Sequence, residues 1–193
     1  MKFSTYFKGK KVLITGNTGF KGSWLSIWML KHGAEVYGIS DKIPTQPSLF
    51  EELKLDEKSH HQFIDIRDRE KIEEAVLEIQ PDYVFHMAAQ PLVSVSYDDP
   101  LFTISTNVMG TANVLEALKK LENKCTAIMI TSDKCYENIE QVWGYKENDQ
   151  IGGKDIYSGS KGAAEVIFHS YFYSFFRDKI NHIRLATVRA GNV

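Results

Sequence analysis

Short apolar runs alternate along the chain with longer segments in which apolar residues recur at helical spacing. We interpret the apolar runs at residues 11–15, 35–39, 62–66, 83–87, 126–131 and 182–189 as β-strands. Helical patterns fall at residues 21–32, 68–79, 101–121 and 157–177. Strands that alternate with helices indicate βαβ units and a parallel sheet. The rules for crossover connections then predict an α/β fold with a doubly wound sheet and strand order 3-2-1-4-5-6.

Composition narrows the class of protein. The 193 residues are 43% hydrophobic and 25% charged, which is ordinary for one globular domain. A formal net charge of -2 gives no electrostatic reason to expect a nucleic-acid or membrane partner. The N-terminus lacks the apolar run of a signal peptide. Two cysteines, Cys125 and Cys135, fit a reduced cytoplasmic protein and do not predict a metal site.

Three glycines follow the first predicted strand in the spacing GxxGxxG and open a helical segment. Gly16 permits a tight turn, Gly19 lets the backbone approach a pyrophosphate, and Gly22 lets the helix pack close to the strand. The helix N-terminus adds free N–H groups and a partial positive charge for phosphates. Although any tight turn can recruit glycine, this order of elements predicts a dinucleotide-binding Rossmann fold. The predicted cofactor contacts here are Gly16, Asn17, Thr18, Gly19, Phe20, Lys21 and Gly22.

Other strand ends supply further candidate cofactor contacts. Asp41 follows the second predicted strand, at a suitable distance to bind the adenosine ribose. Its neighbour Lys42 suits a 2′-phosphate instead, so the choice between NAD and NADP stays open. The ends of the third and fourth predicted strands face the same cleft. They contribute Asp65, Ile66, Ala88, Ala89 and Gln90.

Two groups of polar residues suit proton transfer. Tyr157 and Lys161 are four residues apart at the start of a predicted helix and therefore share one face. A free tyrosine has a pKa of about 10, and a neighbouring ammonium favours its phenolate form. The pair therefore suits a proton acceptor for an alcohol that loses hydride. Ser132, Asp133 and Lys134 end the fifth predicted strand, where they either face the nicotinamide or form an ordinary polar strand end.

The chain resembles the CDP-glucose 4,6-dehydratases, a family of extended short-chain dehydrogenases/reductases, over nearly its whole length. Related dehydratases of dTDP-glucose carry Asp-Glu at Asp133-Lys134, so Lys134 is typical of the CDP-sugar enzymes. The resemblance adds Asn107 to the predicted cofactor contacts. It is carried by Gly19-Phe-Lys-Gly-Ser-Trp-Leu, Ala88-Ala-Gln-Pro-Leu-Val, Thr106-Asn-Val-Met-Gly-Thr, Thr131-Ser-Asp-Lys-Cys-Tyr-Glu-Asn, Trp143-Gly-Tyr, Gly152-Gly-Lys-Asp-Ile-Tyr-Ser and Arg189-Ala-Gly-Asn-Val.

The resemblance implies a lyase that dehydrates CDP-glucose to CDP-4-keto-6-deoxyglucose with bound NAD, in deoxysugar and lipopolysaccharide O-antigen biosynthesis. Tyr157 would take the proton of the sugar 4-hydroxyl, which Ser132 would position. Lys161 would lower the pKa of Tyr157 and hold the ribose. Lys134 would remove the C5 proton, and Asp133 would protonate the departing C6 hydroxyl. That role needs a raised pKa of Asp133, which enclosure by bound sugar would provide.

Family members continue for a comparable length, and we expect their C-terminal sugar-nucleotide domain to be absent here. Residues 1–193 would then form the cofactor domain and turn over little or no substrate alone. The resemblance also implies a homodimer through the predicted helices 101–121 and 157–177. Two alternatives remain: another sugar-nucleotide epimerase or dehydratase, acting on GDP-mannose or a UDP-sugar, and a non-catalytic dinucleotide-binding fragment. Lys134 disfavours the first alternative, and the retained Tyr157 disfavours the second.

Overall fold

A parallel sheet organises the chain. The computed structural model describes residues 4–179 and 182–191. Within them the sheet has six strands in the order β3-β2-β1-β4-β5-β6, and each neighbouring pair is parallel. The predicted doubly wound sheet and its strand order are confirmed. The strands are β1 (Lys11–Thr15), β2 (Glu35–Ser40), β3 (His60–Phe63), β4 (Tyr83–His86), β5 (Cys125–Ser132) and β6 (Ile183–Ala190).

Helices fill the connections between the strands. Short π-helical turns at Ser105–Met109 and Phe172–Phe176 extend or interrupt two of them, and 3-10 turns lie at Asp133–Cys135 and Arg177–Lys179. The α-helices are α1 (Ser4–Phe7), α2 (Phe20–Lys31), α3 (Leu49–Glu52), α4 (Leu55–Lys58), α5 (Arg69–Ile79), α6 (Val93–Asp98), α7 (Pro100–Ile104), α8 (Gly110–Lys119) and α9 (Ile156–Tyr171).

The core lies on both faces of the sheet. Successive side chains of a strand point to opposite faces. Leu13 of β1 accordingly belongs to a large buried cluster that includes Ile72 of α5 and Leu115 of α8. The next residue, Ile14, belongs to a second cluster with Met29 of α2. Because apolar side chains pack on both faces of the sheet, polar side chains can form a site only at the ends of the strands.

Two predicted elements differ in detail from the structure. The predicted helix 101–121 is not continuous, because α7 passes through a π-helical turn before α8 begins. The predicted strand 62–66 ends earlier, at Phe63. There the Asp65 side chain accepts a hydrogen bond from the backbone N–H of Arg67, at 2.9 Å, and this local turn leads the chain away from the sheet.

None of the helices within the described residues combines the length and the apolar character that crossing a bilayer needs. Both cysteines are buried and free, Cys125 in β5 and Cys135 in the 3-10 turn that follows it. Burial raises the pKa of the Cys125 thiol to about 12. It therefore stays protonated and packs as a small apolar side chain.

Candidate active site

One cleft of about 800 Å³ lies at the carboxyl ends of the strands, where the order reverses between β1 and β4. Ligands of doubly wound sheets bind at such a switch point. Most of the predicted site residues line this cleft. They are Gly16, Thr18, Gly19, Phe20, Lys21, Gly22, Asp41, Asp65, Ile66, Ala88, Ala89, Gln90, Ser132, Tyr157 and Lys161. Asn17, Asn107, Asp133 and Lys134 do not line it.

The glycine turn between β1 and α2 has no room for side chains. Gly16 has a φ of +74°, and a Cβ there would lie 2.8 Å from the backbone N of Ala88. A Cβ on Gly22 would lie 2.1 Å from the carbonyl oxygen of Gly16. No side chain caps the N-terminus of α2, whose N-cap is Gly19. The free N–H groups of this first turn therefore suit an anionic group such as a pyrophosphate.

Asn17 supports this turn from beneath instead of facing the cleft. It is fully buried, and its Oδ1 accepts a hydrogen bond of 2.9 Å from Ser40 Oγ. Its Nδ2 occupies the space where a Cβ on Gly38 would lie, 2.0 Å away. The Asn17 side chain is therefore turned toward β2, and the predicted cofactor contact of this residue stays a prediction.

The adenosine end of the cleft carries four charged side chains. Asp41 is half exposed, and its carboxylate lies 4.0 Å from Lys42 Nζ. Arg67 forms a two-pronged ion pair with Asp65, with distances of 2.5 and 2.9 Å to Oδ2. The hydrogen bond from Arg67 lowers the pKa of Asp65 despite the opposing effect of burial. Asp65 lines the cleft, as predicted, but most of its hydrogen-bonding capacity is directed toward Arg67.

Asn107 also acts from behind the cleft. Its Oδ1 accepts from the backbone N–H of Gln90 at 2.8 Å. Its Nδ2 donates to the Gln90 carbonyl at 3.2 Å and to Ser160 Oγ at 2.8 Å. The residue lies in the π-helical turn before α8, which brings the amide to both partners. Asn107 therefore ties the segment that follows β4 to α9, and its predicted cofactor contact stays a prediction.

Tyr157 and Lys161 stand one turn apart at the start of α9, where Asp155 caps the helix by accepting from Ser158 N at 2.9 Å. Both side chains are buried and line the cleft, and Lys161 Nζ lies 5.8 Å from the phenol ring centroid. Burial, followed by repulsion from Lys21, lowers the pKa of Lys161 to about 8. The Lys161 ammonium therefore loses its proton near pH 8, more easily than an ordinary lysine.

The Tyr157 phenol is not activated in the protein alone. Burial raises its pKa above the ordinary value, against the smaller opposing effects of a hydrogen bond with Ser132 and the charge of Lys134. The predicted lowering of the Tyr157 pKa by Lys161 is not seen in the unliganded site, and it stays a prediction for the site with bound cofactor. Desolvation outweighs the neighbouring charges because both side chains lie beneath the surface.

Asp133 and Lys134 form a 3-10 turn directly after β5 and pair with each other. Lys134 Nζ lies 2.9 Å from Asp133 Oδ2, and Ser132 Oγ donates to Asp133 Oδ1 at 3.0 Å. Burial acts to raise the pKa of Asp133, but hydrogen bonds from Lys134 and Ser132 together lower it below the usual value. In the unliganded site Asp133 is therefore a carboxylate at neutral pH. The neutral acid expected on enclosure by bound sugar stays a prediction.

The structure adds residues that sequence reasoning missed. Thr106 lines the cleft, and its buried Oγ1 has no hydrogen-bond partner among the described residues. The buried ring of His86 lies with Nδ1 2.8 Å from Thr15 Oγ1 and Nε2 3.1 Å from Thr111 Oγ1. Glu165 and Arg189 form a buried ion pair beside the catalytic edge. Thr106 could have been predicted because it is adjacent to Asn107. The contacts of His86 and Glu165 could not, because they join segments that are distant in the sequence.

Comparison with known proteins agrees with this geometry. Residues 13–185 match the family model of GDP-mannose 4,6 dehydratase. The chain belongs to this family. It is 50% identical over 191 residues to the CDP-glucose 4,6-dehydratase of Salmonella typhimurium, covering 97% of this chain and 53% of that protein. It is 32% identical to the GDP-mannose 4,6-dehydratase of Yersinia enterocolitica, over 69% of this chain and 38% of that protein.

A solved member of the wider fold class agrees as well. The UDP-glucose 4-epimerase of Thermus thermophilus, in complex with NAD, superposes with a TM-score of 0.78 at 26% identity. The match covers 93% of this chain and 54% of the epimerase. The chain therefore spans about half the length of the Salmonella dehydratase and of this epimerase.

Proposed function

We propose that the chain carries the cofactor-binding and catalytic part of a sugar-nucleotide 4,6-dehydratase, a lyase that converts CDP-glucose to CDP-4-keto-6-deoxyglucose. The observation that carries the proposal is that Ser132, Tyr157 and Lys161 line the same cleft as the glycine turn. This shared cleft supports proton transfer beside the nicotinamide of a bound dinucleotide. The identity of 50% to the Salmonella enzyme supports the activity and its role in deoxysugar and O-antigen synthesis.

NAD is the cofactor that the described residues fit. The glycine turn leaves backbone N–H groups free at the start of α2, and a Cβ at Gly16 or Gly22 would close it. The unpartnered Thr106 hydroxyl offers a further polar contact within the cleft. Asp41 would accept from the adenosine ribose, while Lys42 keeps a 2′-phosphate as the competing choice. When bound, NAD would supply a hydride acceptor for C4 and return that hydride to C6.

The residues of the chain would move the protons. Tyr157 accepts the proton of the sugar 4-hydroxyl, and Ser132, which lines the same cleft, positions that hydroxyl. Lys161 binds the ribose and, when protonated, favours the phenolate. Lys134 removes the proton from C5, which the 4-keto group makes acidic. Asp133 protonates the C6 oxygen as water leaves.

The Asp133–Lys134 pair sets a condition on this sequence of steps. Hydrogen bonds from Lys134 and Ser132 lower the pKa of Asp133 in the unliganded site. Passage of one proton from Lys134 to Asp133, as bound sugar encloses the pair, would leave a neutral amine as the base at C5 and a carboxylic acid to protonate the C6 oxygen. The two groups would then separate to reach these atoms. The proposal therefore requires these two side chains, which are 46% and 41% exposed, to move when substrate binds.

Exposed apolar residues within 101–121 and 157–177 support the further proposal of a homodimer through these helices. Near the end of the second helix, Phe176 is buried in the core while Phe175 is exposed. The large apolar side chains exposed within 101–121 and 157–177 are Leu101, Ile104, Met109, Val166, Tyr173 and Phe175.

We also propose that the protein is cytoplasmic, which suits its two free, buried cysteines.

Two substitutions in the complete encoded protein test the activity. Tyr157→Phe should abolish C4 oxidation, so that no NADH absorbance appears when CDP-glucose is added. It should leave NAD binding largely intact. Asp133→Asn should allow C4 oxidation but stop before water is lost. Product formation by Asp133→Asn at the native rate would show that another group is the acid.

The substrate is tested separately, with CDP-, dTDP-, UDP- and GDP-linked sugars offered to the wild-type protein. We expect turnover of CDP-glucose. Preference for a GDP- or UDP-sugar would instead place the protein with the other dehydratases and epimerases. We expect residues 1–193 alone to show little or no turnover, and robust dehydration by this segment would overturn that expectation.

A further inference from the structure

A buried ion pair joins three elements at the catalytic edge of the sheet. Glu165 lies on α9, one turn beyond Lys161, and is 5% exposed. Arg189 of β6 donates to both of its carboxylate oxygens, from Nε and Nη2, at 3.2 Å. Thr131, which precedes Ser132 in β5 and pairs with Arg189 across the sheet, donates its hydroxyl to the same carboxylate. The pair therefore fixes the ends of β5 and β6 relative to the helix that carries Tyr157.

The other side of Arg189 holds the segment that follows the catalytic turn. Its Nη1 donates to Tyr136 Oη at 2.7 Å and to the carbonyl of Glu147 at 3.1 Å. The guanidinium also lies 4.7 Å from the centroid of the Tyr136 ring. Tyr136 in turn stacks on Tyr145, with centroids 5.1 Å apart, and forms an isolated bridge with Ile151. One guanidinium thus anchors both ends of residues 136–147.

We propose that the Arg189–Glu165 pair is a positioning device, which holds the backbone of the Ser132–Lys134 turn and the 136–147 segment in one placement relative to α9, the helix that carries Tyr157 and Lys161. The role in catalysis rests on the function proposed above, whereas the anchoring does not. Guanidinium geometry explains the choice of residue, because its planar fork reaches carboxylate, phenol and carbonyl at once. A lysine ammonium has no such fork and cannot meet the three partners together.

The sharpest variant is Tyr136→Phe, which keeps the buried ion pair and removes only one anchor of the segment. Its matched control is Tyr37→Phe on β2, which also loses a hydrogen bond to a charged side chain, Glu35, near the other edge of the sheet. The readout is the rate of tryptic cleavage at the exposed Lys146, identified by mass spectrometry. We expect Tyr136→Phe to accelerate this cleavage roughly tenfold, the effect of losing one hydrogen bond to a charged group. Tyr37→Phe should leave the rate unchanged.

Arg189→Lys extends the test to the pair itself, in the complete encoded protein. We expect faster cleavage at Lys146 and a lower kcat, with the Kd for NAD unchanged, because the glycine turn is untouched. A purely structural role would instead lower the melting temperature without changing kcat at temperatures where the variant is folded, and that result would overturn the proposal. Unchanged cleavage in both Tyr136→Phe and Arg189→Lys would overturn it too. Since proteolysis needs no substrate, a failure of the dehydratase activity would leave this test intact.

Discussion

Lys161 should cost the protein stability, and its removal should make the fold more stable. The side chain is 8% exposed, and within the described residues no carboxylate forms an ion pair with it. Burial, then the charge of Lys21, lowers its pKa from 10.5 to about 8. That difference corresponds to about 3 kcal/mol of folding free energy. We therefore expect Lys161→Met to raise the free energy of unfolding at neutral pH by up to about 3 kcal/mol, while abolishing activity.

The pH dependence of the stability difference shows whether the Met variant is more stable because it lacks the buried charge or because it packs better. Below about pH 8 the native wild-type protein carries the buried charge, and the Met variant has its full advantage. Between about pH 8 and about pH 10.5 the unfolded chain holds a proton that the native state has released, so wild-type stability rises with pH relative to the variant. The advantage of the variant should therefore shrink across this window and disappear above it.

Urea unfolding followed by circular dichroism measures the effect, at several pH values from about 7 to about 10. The matched control is Lys134→Met, whose ammonium is 41% exposed and paired with Asp133. Exposed pairs contribute about 1 kcal/mol or less, so this control should change stability little. The reasoning is refuted if Lys161→Met is no more stable than wild type near neutral pH, or if its advantage does not change with pH.

Three further changes probe the glycine turn, a buried histidine and a helix cap. Gly22→Ala should cost about 3 kcal/mol in urea unfolding and weaken NAD binding, because its Cβ meets the Gly16 carbonyl at 2.1 Å. Gly159→Ala, whose Cβ meets nothing within 4 Å, is its control and should gain up to about 1 kcal/mol; equal effects would contradict the steric argument. Burial, then the charge of Lys161, lowers the pKa of His86 to about 3, so wild-type stability should fall as pH drops below about 6.5. His86→Gln should flatten that fall in acid titrations, and an unchanged slope would count against it. Asp155→Ala should cost about 1 kcal/mol in urea unfolding by removing the cap of α9, and no loss would mean that the cap is dispensable.

The sequence was sufficient for the fold because its signals are local. Most strands are short apolar runs, and some helices also have a side-chain cap, such as Asp68 before α5 and Asp155 before α9. The strand order then follows from general rules of connection. The placement of Tyr157 and Lys161 is equally local, since a spacing of four on a helix fixes their common face.

The chemistry of the site was less predictable because it depends on burial and on contacts between distant segments. Asn107 was expected to face the cofactor, yet its amide is used by Gln90 and Ser160. The ionisation of Asp133 depends on whether Lys134 folds back on it, which the order of residues does not reveal. Arg189 and Glu165 are 24 positions apart and meet only because β6 lies beside β5.

The buried face of α9 carries one charge that costs folding free energy and one that has a counterion. Tyr157, Lys161 and Glu165 recur every fourth residue, so one stripe of the helix places three polar groups in the protein interior. Glu165 has Arg189 as a counterion, and the pair ties the helix to two strands. Lys161 has no such partner among the described residues. Under the proposed function, a carboxylate beside it would neutralise the charge that favours a Tyr157 phenolate. The stability that Lys161 costs therefore follows from its proposed role, and the Arg189–Glu165 anchor keeps the helix in place despite that cost.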